Sequence, residues 1–214
     1  MGDRILRITW IKGKTDNCYI VSEGKDAILV DTASGESYEH VLEECGKYNM
    51  RLIVLTHVHF DHAENAAVLS ARYGVPVAIH RKDEELFDSF DKQPLKSSGL
   101  VGCVVLGMSL KVLRNTTVAR PDNLIYVEEG DDLNAYGFNA KVIELPGHTL
   151  GSIGLDVEGR HLLVGDALDN WIRPGTGHLF YDKEATRKSA EKIRALGDRT
   201  IYYGHGKPTP NGLF

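Results

Sequence analysis

Four apolar runs in this chain each end on a histidine or an aspartate, and that repetition constrains the fold more than any other feature. Arg51-Leu52-Ile53-Val54-Leu55 runs through Thr56 into His57-Val58-His59-Phe60-Asp61-His62. Residues 140–145 lead into Pro146-Gly147-His148-Thr149, residues 161–164 into Gly165-Asp166, and residues 200–203 into Gly204-His205-Gly206. Each run reads as a strand. Glycine beside the last three ligand types lets the backbone turn sharply and approach a neighbour closely. A fold that places these four strand ends on one rim brings the histidines and aspartates together.

The first of the four is the richest, with three imidazoles and one carboxylate in six residues. An extended backbone sends His57 and His59 to the same side. Asp61 and His62 open the helix-like segment that follows and can turn to an adjacent site. Imidazole and carboxylate suit Zn, Fe or Mn, and clustering them without a cation is electrostatically costly. A lone His-x-His reads as a polar turn. The whole string, set on a strand-to-helix junction, reads as a metal site.

Together with Asp31 after Ala27-Ile28-Leu29-Val30, these motifs resemble those of the metallo-β-lactamase superfamily, in the family's order and over nearly the whole chain. The resemblance implies an α/β fold of the four-layer αββα sandwich type. It implies a dinuclear centre in which His57, His59 and His148 hold one metal and Asp61, His62 and His205 a second, with Asp166 bridging. The cofactors would be two divalent ions, zinc first, with iron or manganese as alternatives. Asp31 would hydrogen-bond the His-rich loop; with Ser34-Gly35 nearby, it suits a turn or helix-cap residue equally well. Asp166 after Gly165 is similar to the glyoxalase II-like and lactonase-like branches, whereas members that hydrolyse β-lactams commonly place Cys or Ser there. His59, where the diiron flavoprotein branch has Glu, argues against oxygen reduction. Such motifs are specific for the fold and the centre and weakly specific for substrate.

The implied chemistry is hydrolysis by a metal-bridging hydroxide. Two cations sharing a water lower its pKa from ~16 toward ~7. The electrophile would be a small thioester, lactone or related carbonyl. Asp61 is the candidate catalytic residue, orienting the hydroxide and shuttling its proton in addition to binding metal. The sequence holds no G-x-S-x-G string that would supply a side-chain nucleophile. It stops nine residues after His205, so the helical extension that contacts glutathione in glyoxalase II is not expected. The alternatives are a mononuclear iron oxygenase similar to the persulfide dioxygenases of this superfamily, or a phosphodiesterase.

Composition sets the remaining bounds. A chain of 214 residues suits one α/β domain over 1–214, and 42% hydrophobic with 26% charged residues excludes general disorder. No run approaches the ~20 apolar residues of a membrane span. The net charge of −5, with no basic block, disfavours nucleic acid as a partner. Residues 1–10 alternate as a strand does, not as a secretory leader. The expectation is a cytoplasmic domain with a small-molecule substrate and no membrane partner. Cys18, Cys45 and Cys103 lack C-x-x-C spacing and read as buried or semi-buried thiols.

Strands are expected near 4–10, 17–22, 26–31, 51–56, 75–80, 124–128, 138–145, 152–157, 161–165 and 200–204. Helices are expected near 36–48, 62–73 and 183–196. The stretch 81–123 breaks this alternation. Its opening, residues 81–87, reads as an amphipathic helix, and residues 100–108 form an apolar run that needs burial somewhere. It would serve either as a lid or binding loop, or as a core-covering or dimer-forming element, which leaves a homodimer open. Trp171, Arg173, His178 and Tyr181 follow the bridging carboxylate and are candidates for substrate contact, with packing as the alternative. His40, His80 and His161 read as structural or exposed.

Overall fold

The computed structural model describes residues 6–214, so the expected strand start near residue 4 lies outside the described residues. Strands β1 (Leu6–Lys12), β2 (Asn17–Glu23) and β3 (Asp26–Val30) form an antiparallel meander. Helix α1 (Tyr38–Cys45) crosses to β4 (Asn49–Val54), which lies parallel to β3. Helices α2 (Phe60–Ala63) and α3 (Ala66–Tyr73) cross to β5 (Val77–Ile79), parallel to β4. Then come β6 (Lys96–Ser97), α4 (Gly99–Leu113) and β7 (Leu124–Tyr126), which lies parallel to β5. Strands β8 (Ala140–Glu144), β9 (Ile153–Val157) and β10 (His161–Gly165) form a second meander. Strand β11 (Leu179–Phe180) pairs with β6. Helix α5 (Lys183–Ala195) crosses to β12 (Thr200–Tyr203), parallel to β10, and β13 (Thr209–Pro210) closes that edge.

Two sheets result, ordered β1-β2-β3-β4-β5-β7 and β13-β12-β10-β9-β8. Period-two alternation assigns their faces. Val21, Ile28, Val30, Leu52 and Val54 of the first sheet meet Val142, Ile153, Leu155, Val157 and Leu163 of the second in one buried layer. The alternate residues Ile20, Leu29, Ile53 and Val77 pack outward on Val41 of α1 and Leu69 of α3. On the far side, Leu162, Val164 and Ile201 receive Ala190 and Ile193 of α5. The layers therefore run helix, sheet, sheet, helix, which is the αββα sandwich. Among the described residues no helix is long and apolar enough to cross a membrane.

Four local expectations change. The single helix expected over 62–73 divides at Glu64-Asn65, because the Asn65 amide turns to donate to the carbonyls of Thr32, Ala33 and Ser34 at 2.8, 3.1 and 2.9 Å. The segment Arg81–Phe87 is a 3-10 helix rather than an amphipathic α-helix. His80 caps it, its Nδ1 accepting from the Lys82 amide, and the tighter winding turns Asp83, Leu86 and Phe87 inward. The apolar run 100–108 falls within α4, and Leu100, Val101, Val104 and Met108 stay exposed instead of finding cover. Cys103 on that helix is exposed too, whereas Cys18 and Cys45 are buried.

Leu155 is fully buried between the sheets, so Leu155→Ala leaves a cavity in the layer that joins them. A loss of about 2–5 kcal/mol is expected, seen as a lower denaturation midpoint with an unchanged urea slope.

Candidate metal centre

The parallel strands of both sheets deliver their C-terminal ends to one rim. Asp31 follows β3, His57 to His62 follow β4, Asp166 follows β10 and His205 follows β12. The sheets are pinned together there. Asn17 donates its backbone N–H to the Gly204 carbonyl at 2.8 Å and its side-chain amide to the Tyr203 and Gly206 carbonyls at 3.0 and 2.8 Å. The Tyr19 hydroxyl donates to the Tyr203 carbonyl at 2.7 Å, and the Ile153 amide donates to the Thr56 carbonyl at 2.8 Å.

All seven residues singled out from the sequence converge. Ligand-type atoms of His57, His59 and His148 lie within 4.8 Å of one another, as do those of Asp61, His62 and His205. Asp166 stands between the two groups. Its Oδ2 is 3.6 Å from His148 Nε2 and 3.2 Å from His205 Nε2, and its Oδ1 is 3.5 Å from His62 Nε2. Asp61 Oδ2 faces His205 Nε2 at 3.5 Å and His62 Nε2 at 3.9 Å.

The outer hydrogen bonds set which nitrogen points inward. His62 Nδ1 donates to Asp31 Oδ2 at 2.9 Å, His148 Nδ1 to the Leu179 carbonyl at 3.1 Å and His205 Nδ1 to the Thr15 carbonyl at 2.6 Å. His57 Nδ1 lies 3.2 Å from Thr56 Oγ1, whose hydroxyl proton goes to Asp31. Anchoring Nδ1 this way turns Nε2 toward the cavity, as second-shell partners do for metal-binding imidazoles. His59 is turned the other way, with Nδ1 inward at 2.9 Å from His148 Nε2.

These residues fit a metal. His57 Nε2, His62 Nε2 and Asp166 Oδ1 are buried and have no hydrogen-bond partner among the described residues. Buried polar atoms are ordinarily paired, and a cation would satisfy all three. The set of nitrogen and carboxylate donors suits Zn, Fe or Mn.

The two halves differ electrostatically. Burial and the adjacent imidazoles of His62 and His148 push His57 well below the usual histidine range. Burial and His148 bring His59 down to about 3. Burial also opposes charge on His62, but the carboxylates of Asp166, Asp31 and Asp61 outweigh it and raise that group to about 9. His205 is raised for the same reason, by Asp166 and Asp61 against burial. Burial pushes Asp166 and Asp61 up, and the facing imidazoles prevail and hold both carboxyls low.

Close packing explains two of the glycines. Gly165 has φ +53°, and a Cβ there would lie 2.3 Å from Thr56 Oγ1. A Cβ on Gly204 would lie 2.1 Å from Asp166 Oδ1 and 2.6 Å from His62 Cε1. Side chains at these positions would displace the residues they flank.

Asp31 serves the loop rather than a simple turn. It is buried, and its Oδ1 accepts from the Thr56 amide at 2.7 Å. Asp83 is a second such carboxylate, and sequence reasoning missed it. It is fully buried and accepts from Thr149 Oγ1 and the Gly151 amide, each at 2.7 Å, and from the Val58 amide at 3.4 Å. It thereby joins the loop of His57 and His59 to the loop of His148. Gln93, also buried, adds to this join by accepting from the Leu150 amide at 2.7 Å and donating to the Lys82 carbonyl at 2.8 Å.

Of the four candidates for substrate contact, Trp171 stands over the site, its ring edge-on to His205 at 5.3 Å. Arg173 and His178 are exposed, and Tyr181 lies beneath the Lys96 ammonium. His40 is exposed, His80 caps its turn, and His161 meets the Tyr202 hydroxyl at 3.1 Å.

A pH dependence follows from the unlike halves. A ligating imidazole must be neutral, and His62, raised to about 9, carries a proton at neutral pH that a cation has to displace. Affinity at Asp61, His62 and His205 is therefore expected to rise with pH from neutrality upward, since His205 is raised as well. Affinity at His57, His59 and His148 is expected to change less, since His57 and His59 are already neutral. Metal competition titrations across that range test this; equal pH slopes at both sites would refute it.

Comparison with known proteins agrees with this architecture. The family model described as the metallo-beta-lactamase superfamily matches residues 13–205. A hydroxyacylglutathione hydrolase of Haemophilus influenzae is 28% identical over 206 residues, covering 92% of this chain and 88% of its own. Among solved structures, the B3 metallo-beta-lactamase BLEG-1 superposes with a TM-score of 0.72 at 24% identity, covering 97% of this chain and 95% of that one. A protein solved in a di-iron-bound form superposes with a TM-score of 0.69 at 24% identity, covering 97% and 96%. With its family match spanning the rim from the segment before Asn17 to His205, the chain belongs to the metallo-beta-lactamase superfamily.

Proposed function

We propose that this protein is a dinuclear metal-dependent hydrolase of small thioesters or lactones, with zinc as its metal. One observation carries the reading: inward-facing imidazole nitrogens form two adjacent groups, and the Asp166 carboxylate lies between them. In this assignment His57, His59 and His148 hold one ion, Asp61, His62 and His205 the other, and Asp166 both. When bound, the ions supply Lewis acidity that activates water at neutral pH and stabilises negative charge developing on a carbonyl oxygen.

The side chains around them do the positioning. Asp61 directs Oδ2 toward His62 and His205, which leaves Oδ1 to hold the attacking water and to take its proton. Asp31 and Thr56 keep His62 and His57 in the orientation that binding requires. Phe90 lies 5.8 Å from the His59 ring and Trp171 5.3 Å from His205, so apolar surface flanks both ends of the site and limits the water around a bound acyl group. The Haemophilus influenzae relative, named for a hydroxyacylglutathione substrate, supports a thioester.

The test is a panel of thioesters, lactones, β-lactams, phosphodiesters and glutathione persulfide, assayed with the Zn, Mn and Fe forms. Hydrolysis of a thioester or lactone is expected. Oxygen consumption with persulfide alone, or phosphodiester cleavage alone, would refute the carbonyl substrate. Asp61→Ala is expected to lower kcat about 10²–10⁴-fold while one metal per chain remains on the three histidines. Asp166→Asn is expected to lose the second metal before it loses fold stability; retention of both metals at wild-type affinity would disprove the bridging role.

A further inference from the structure

We infer that the outer face of α4 is a self-association surface, and that its occupant is α4 of a second copy of this chain. The inference is independent of the metal chemistry. The inner face of the helix is accounted for: Gly102 and Leu113 are buried, and Leu110 and Leu113 pack on the core beneath the first sheet. The outer face is not. Leu100, Val104 and Met108 are 88%, 65% and 67% exposed, and Val101 and Val112 are exposed beside them. No charged residue interrupts positions 99–110.

Spacing turns that face into a ridge beside a groove. Leu100, Val104, Met108 and Val112 recur every four residues and stack into one row along the helix. The neighbouring row contains Cys103 and Gly107, both small and both exposed. Gly107 is informative. It sits mid-helix, where glycine costs roughly 0.5–1 kcal/mol relative to alanine. A Cβ there would meet nothing within 4 Å among the described residues, so packing within this chain does not explain the glycine. A shallow groove beside an apolar ridge is self-complementary under a two-fold axis. Each ridge lies in the other groove, with the axes about 8–10 Å apart.

Area and charge select the occupant. By their exposures the ridge side chains form a patch of a few hundred Å² per copy, on the order of the largest apolar patch of a monomer, and covering it on both copies approaches the ~1,000 Å² of a specific interface. A lipid surface would not require the groove at Gly107, and a net charge of −5 opposes approach to anionic headgroups.

The test uses the full chain in its metal-loaded form. Sedimentation equilibrium of the wild type is expected to show a reversible dimer. Met108→Glu and Val104→Glu are expected to weaken it at least tenfold with metal content unchanged. Gly107→Gln separates interface from fold, because it fills the groove while raising helix propensity. It is expected to give a monomer of undiminished helix content by circular dichroism. Short bismaleimides are expected to link Cys103 to Cys103 of the partner in the wild type and not in Met108→Glu. A wild type monomeric at every concentration, a Gly107→Gln dimer as tight as wild type, or sedimentation with anionic vesicles in place of dimerisation would each overturn the inference.

Discussion

A buried carboxylate at the end of β3 organises the rim. Asp31 sits in the left-handed region at φ 58°, a conformation that strains an L-residue by about 1–3 kcal/mol. What holds it there is a set of charge-assisted hydrogen bonds from the Thr56 amide, the Thr56 hydroxyl and the His62 ring. Such bonds contribute about 1.5–3 kcal/mol each, so together they outweigh the strain. Thr56 extends the tie in two further directions, to His57 through its hydroxyl and to the second sheet through its carbonyl. One anion thus sets the direction of two imidazoles and the seam between the sheets. Its negative charge also contributes to keeping His62 ready for exchange between a proton and a cation.

The sequence disclosed what local pattern encodes. Strand periodicity placed most of the two sheets, and every cluster residue lay at the end of a run, where a glycine or a strand-helix turn is visible without structure. The four-layer arrangement came from family likeness, since alternating strands and helices fit a doubly wound sheet equally well. Asp83 could not be read. It sits in Arg81-Lys82-Asp83-Glu84-Glu85, the pattern of a solvated helical face, and only a 3-10 turn and a loop some 66 residues away turn it inward. Strands β6, β11 and β13 are two residues each, too short to leave a periodic signal. The apolar run of α4 was legible as a run. Its exposure was not, because composition records what a segment contains and not what covers it.

The two halves of the centre solve the burial of polar groups differently. Around His57 and His59 the imidazoles are kept neutral, so that half stores little charge. Around His62 and His205 three carboxylates face the rings, and protons stand in for the missing positive charge. Acidic groups at this depth are tolerable only when compensated. The same carboxylates would attract a divalent ion to this half once the protons leave.

The distribution of the cluster along the chain bears on how the molecule is made. His57 follows β4 in the first sheet and His205 follows β12 in the second, so the contacts that close the rim are among the most non-local in the protein. Closing contacts of this range carries an entropic cost and slows folding in general. The first sheet alone holds an incomplete donor set, because His148, Asp166 and His205 follow β8, β10 and β12 of the second. An ion held by residues of both sheets would bind the folded state and not the unfolded one, and so would stabilise the finished fold by mass action. Loss of such an ion would then report that the two sheets had parted.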